Sequence, residues 1–67
     1  MLTARNLHEK FADPHEAAKI LRISPRTLAN QRSLRRGPEY VKIGNRVLYP
    51  LDALSDFIES KRVRPEG

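Results

Sequence analysis

The stretch Asp13-Pro14-His15-Glu16-Ala17-Ala18-Lys19-Ile20-Leu21-Arg22-Ile23-Ser24-Pro25-Arg26-Thr27-Leu28 contains two helix starts in close succession. Asp13 is an N-cap residue, followed by proline at the first helical position and Glu16 at the third, the pattern of a capping box. The helix that follows is short and carries Ala17, Ile20 and Leu21 on one face. Pro25 disfavours helical backbone at the residue before it, so the first helix ends by Ser24. Ser24 can then cap a second helix that opens on Pro25. Ile23, just before this cap, and Leu28, at the fourth helical position, have the spacing of a hydrophobic staple. Two short helices locked at a sharp angle by a tight turn form a helix-turn-helix.

Further along, the second helix is expected to reach Leu34 or Arg35 and to stop before Gly37-Pro38. The apolar period then becomes two. Tyr40-Val41-Lys42-Ile43 and Val47-Leu48-Tyr49 read as strands around Gly44-Asn45-Arg46. A three-residue loop pairs Ile43 with Val47 and Val41 with Tyr49, which keeps the apolar set together. A two-residue loop at Gly44-Asn45 would set Ile43 beside Arg46, so the longer loop is expected. A third helix follows from Pro50 or Leu51 to Lys61. Leu51, Leu54, Phe57 and Ile58 form its expected buried stripe, with Asp52 in the first turn and Lys61 and Arg62 at the end. The fold class is mainly α with a small β-hairpin, a winged helix-turn-helix. It spans residues 13–62, after a weakly patterned arm at 1–12 (irregular, or a short helix capped by Thr3) and before a loose tail at 63–67.

The chain has 67 residues, one domain's worth, and a domain of that size buries only about 60% of its unfolded surface. Such a domain leaves little room for a catalytic cleft. Without cysteine there is no disulfide or thiolate metal site. No apolar run approaches the ~18 residues of a membrane span, and no signal-peptide core opens the chain, so a cytoplasmic protein is expected. His8 and His15 share no ligand-like spacing, Ser24 has no histidine partner, and Asp52 and Asp56 fit a solvated helix face. No catalytic residue, metal or cofactor is expected.

Charge is more informative. Between Ala17 and Leu51, eight Lys and Arg (Lys19, Arg22, Arg26, Arg32, Arg35, Arg36, Lys42, Arg46) face one Glu, a local charge of +7 within a chain of net +5. A cationic stretch of this kind is the footprint expected for a phosphate backbone, although a merely solvated face has the same composition. Rotation about the second helix sharpens the point. With Leu28 inward and about 100° per residue, Arg26, Asn30 and Ser33 share the opposite face, flanked by Thr27 and Ala29. Gln31, Arg32 and Arg35 fall nearer the Leu28 side, where they edge the core or reach toward backbone. Arginine can bond bidentately to guanine O6 and N7, and asparagine to adenine N6 and N7. Major-groove candidates are therefore Arg26, Thr27, Asn30 and Ser33. Candidates for DNA backbone or wing contacts are Ser24, Arg32, Arg35, Arg36, Lys42, Asn45 and Arg46. Gly44 is expected to supply positive φ in the turn.

These segments, with Arg36-Gly37-Pro38, Tyr40 to Val47, Tyr49, Leu54, Phe57 and Ile58, resemble the excisionase-type, MerR-like winged helix-turn-helix family over roughly residues 11–60. The resemblance implies base contacts from Arg26 and Asn30 and a wing served by Asn45 and Arg46. It also implies a non-enzymatic factor that binds and bends double-stranded DNA at repeated sites and assists an integrase (a recombinase) in excising a mobile element. Gln31 departs from the family, which commonly has a tryptophan there, leaving Leu34 or the stem of Arg35 to seat the helix. A small transcriptional regulator on the same fold is the alternative, and a DNA-packaging or adaptor module the rival from another class. Brevity favours the architectural factor. Such a chain is expected to be monomeric when free and to associate weakly head to tail on DNA.

Overall fold

The computed structural model describes residues 10–65. Helix α1 (Pro14–Leu21) begins where the capping chemistry places it. Asp13 Oδ1 accepts the Glu16 N–H at 2.8 Å, and Glu16 Oε1 accepts the Asp13 N–H at 3.2 Å. The helix ends on Arg22 with φ 57, and the Arg22 and Ile23 N–H groups return to the Lys19 and Ala18 carbonyls. That is a Schellman closure with arginine in the left-handed position usually given to glycine. Helix α2 (Pro25–Ser33) starts at once, its Thr27 N–H bonded to Ser24 Oγ at 3.0 Å. Leu28 is fully buried, and half-buried Ile23 packs against the same core, as the staple requires.

Three short strands follow the expected pattern only in part. They are β1 (Phe11–Ala12), β2 (Val41–Ile43) and β3 (Arg46–Pro50), in antiparallel order β1-β3-β2. Helix α3 (Leu51–Ser60) leaves directly from β3. Strand β1 belongs to what the sequence presents as an unpatterned arm. Two residues are too few to show a period, and the strand is defined by its partner: Phe11 faces Pro50 and Ala12 faces Tyr49. Residues 1–9 of the arm, with the Thr3 cap, lie outside the described residues.

The hairpin corrects the expected register. Val41 pairs with Leu48, Lys42 with Val47 and Ile43 with Arg46, which leaves the two-residue loop Gly44-Asn45. Gly44 has φ 60, while Asn45 is not among the positive-φ residues. That is the type II′ arrangement, whose twist matches the strands. Turn geometry thus sets the register, and gathering the apolar residues does not. The outcome leaves Ile43 62% exposed.

Six buried residues make the core: Ala12, Ala17, Ala18, Leu28, Tyr49 and Leu54, with Leu21, Ile23 and Val47 packed around them. On α1 the small pair Ala17-Ala18 allows close packing, and Ile20, expected inward, is turned to solvent. The α3 stripe is also only partly buried. Leu54 is inside and Phe57 half inside, whereas Leu51 and Ile58 are exposed.

Two outcomes test this packing. Leu28→Ala should cost about 2–5 kcal/mol through a cavity in so small a core, read by thermal or urea denaturation. The Glu16 N–H bond holds the Asp13 carboxyl below its ordinary 3.8, against slight desolvation that works the other way. A lowered folded pKa contributes stability above the ordinary value and loses it as pH falls through the lowered one. Asp13→Asn keeps the capping acceptor without the titration. Between about pH 5 and pH 2 its melting temperature should therefore fall less than that of the wild type.

Candidate nucleic-acid interface

Burial of Leu28 fixes the rotation of α2, and its opposite face is open. Arg26, Thr27, Asn30 and Ser33 are exposed, while Ala29 is half-buried. Arg26 and Asn30 are four residues apart, one helical turn, so both can address neighbouring base pairs from one face. Thr27 also belongs to the cap: its hydroxyl oxygen accepts the Ser24 hydroxyl hydrogen at 2.9 Å. Ser24, expected also as a DNA-backbone contact, is exposed, and its oxygen accepts the Thr27 N–H that starts α2.

Arg32 is likewise turned inward. Its Nη1 donates to the hydroxyl of fully buried Tyr49 at 3.0 Å, and its guanidinium carbon lies 5.9 Å from the centre of the Tyr40 ring. The two tyrosine rings are 6.0 Å apart and tilted by 51°. Arg32 thus ties the last turn of α2 to the base of the wing, and its first duty is to hold the two at a set angle. Of the open alternatives for this residue, edging the core is the one realised. The signal was its position four residues after Leu28, on the same side of the helix.

Past α2 the chain turns on Arg35, φ 58, with the Arg35 and Arg36 N–H groups returning to the Arg32 and Gln31 carbonyls. This second Schellman closure again carries arginine in the left-handed site. Both Arg35 and Arg36 are exposed. Gly37 then crosses over Gln31, where an added Cβ would lie 3.2 Å from the Gln31 Cβ. Neither Leu34 nor the Arg35 stem seats the helix in place of a tryptophan, since Leu34 is 63% exposed and Arg35 is exposed. Instead Gln31, half-buried with an unpartnered Oε1, borders a groove of about 450 Å³ shared with Leu21, Ile23, Phe57 and Ile58.

On the wing, Lys42, Asn45 and Arg46 are all exposed. The corrected register separates its two cations. Lys42 shares a face with Val47 on the side that packs against the core, and Arg46 shares the other face with Ile43. Among the described residues, no group of three or more His, Cys, Asp or Glu could hold a metal ion, and no helix is long and apolar enough to cross a membrane.

Residues 13–62 match the sequence pattern of the helix-turn-helix domain family, most of the 67-residue chain. The chain belongs to the helix-turn-helix domain family. DNA is the partner this family supports, and its members are generally not enzymes. No curated protein matches the chain. The helix-turn-helix here is α1 and α2 joined by Arg22-Ile23-Ser24, with the β2-β3 wing and α3 behind it.

Arg35 supplies a test that separates stability from binding. Arg35→Gly relieves a left-handed residue and should stabilise the fold by about 1 kcal/mol, raising the melting temperature by about 4–8 °C. If Arg35 meets a phosphate, the same variant should bind DNA more weakly and make the slope of log K against log salt shallower by about 1. An unchanged slope would remove Arg35 from the interface.

Proposed function

We propose that this helix-turn-helix domain reads duplex DNA by laying α2 in the major groove. Arg26 and Asn30 bond base edges, Thr27 and Ser33 flank them, and Arg35, Arg36 and the wing hold the phosphates. One observation carries the reading: the burial of Leu28 leaves the opposite face of α2 to exposed Arg26, Asn30 and Ser33. The cations on both faces of the wing, Lys42 and Arg46, suit a ribbon lying between two phosphate strands, with Asn45 at the tip.

The finer role we propose is that of an excisionase-type factor, which binds directly repeated sites, bends the DNA and assists an integrase in excising a mobile element. The resemblance of its sequence segments to that family supports this role. Exposed Ile20 and Ile58 supply apolar side chains for weak head-to-tail contacts between copies on adjacent sites. Gel-shift titrations on one, two and three direct repeats, beside an inverted repeat, test the assembly. Growing affinity per added direct repeat is expected, and tight dimeric binding to the inverted repeat would favour a transcriptional regulator. Activity in an integrase excision assay tests the role itself.

For the interface, neutralising about 4–6 phosphates should give a salt slope of roughly −4 to −5. A slope near zero would refute DNA binding. Arg26→Ala or Asn30→Ala should cost about 1–3 kcal/mol on the preferred site and much less on random duplex. Equal losses on both would move base reading away from α2.

A further inference from the structure

Helix α2 is strongly polar and buries a single residue, Leu28. Its other leucine, Leu34, sits at the C-terminal cap with 63% of its surface exposed and takes no part in the core. Its N–H donates to the Asn30 carbonyl at 3.0 Å, so its place still follows the helix. Leu34 comes four residues after Asn30 and seven after Thr27. At about 100° per residue, these offsets set it within about 40° of Asn30 and about 20° of Thr27 around the axis. Thr27, Asn30 and Leu34 therefore form one row on the face turned from the core, and Arg35 and Arg36 follow it immediately.

A leucine in that row has neither donor nor acceptor to offer a base edge. In the major groove the base-edge feature that complements it is the C5-methyl group of thymine. We infer that Leu34 is a specificity residue that reads a thymine methyl group. One helical turn separates it from Asn30, about 6 Å along the helix, so its thymine lies within about two base-pair steps of the base Asn30 reads. The inference rests on α2 being the reading helix, and it adds an apolar contact to a face otherwise built from hydrogen-bonding groups. Unlike a phosphate contact, this one should not alter the salt dependence.

The test begins with enrichment of a preferred duplex by the full chain from a random library. Each thymine of that duplex is then replaced in turn by deoxyuridine, which removes only the methyl group, and binding is followed by fluorescence anisotropy. One replacement, within about two base pairs of the adenine whose reading Asn30→Ala abolishes, should weaken wild-type binding about fourfold, the worth of one buried methyl. The same replacement should leave binding by Leu34→Ala unchanged. Leu34→Ala should also keep the wild-type melting temperature and salt slope, because the side chain is exposed and uncharged. If Leu34→Ala keeps the full deoxyuridine penalty, or no replacement weakens the wild type, the inference is overturned while the reading by α2 stands. Failure to enrich any sequence would overturn both.

Discussion

Tyr49 is the side chain on which the arrangement of this domain depends. Among the described residues, three of the six that form the core are alanines, so the Tyr49 ring, Leu28 and Leu54 supply most of the core volume. A buried phenol needs a hydrogen-bond partner, and Arg32 provides it from α2. Arg32 remains half-buried, keeping part of its guanidinium near water and against the Tyr40 ring. One residue of β3 thereby fixes three things: β1 through its pairing with Ala12, the base of the wing through Tyr40, and α2 through Arg32. The spacing between α2 and the wing follows from this anchor, with no contact at the wing tip required.

The helix ends are built for the same purpose. Both α1 and α2 stop in left-handed arginines, Arg22 and Arg35, where glycine would be less strained. A cation at a helix C-terminus interacts favourably with the helix dipole, which offsets part of that strain. A charged side chain also remains at each bend, and glycine could not supply one.

Ser24 caps α2 and Arg32 holds Tyr49, while Arg35, Arg36 and the wing cations Lys42 and Arg46 stay exposed. The wing is slighter than a well-packed hairpin, because its turn places Ile43 beside Arg46 and away from the core. Its outer face consequently mixes an apolar residue, Ile43, with a cation, Arg46.

Local chemistry made much of this legible in the sequence. Asp13, Pro14 and Glu16 define the start of α1, and Ser24-Pro25 defines the turn, because caps and proline act within a few residues of themselves. The open face of α2 with Arg26, Asn30 and Ser33 also followed from sequence, since one inward leucine sets the rotation of a short helix. Other features were decided only by tertiary structure. A two-residue strand such as Phe11–Ala12 exists through its partner β3. The burial of Ala18 instead of Ile20 depends on how closely α1 approaches its neighbours, and hydrophobicity alone favours the larger residue. The hairpin register came from the backbone twist that Gly44 permits, which outweighed the clustering of apolar side chains. The helix rotation put Arg32 on the core side, but its partner, a buried hydroxyl seventeen residues away in sequence, was set only by the folded packing.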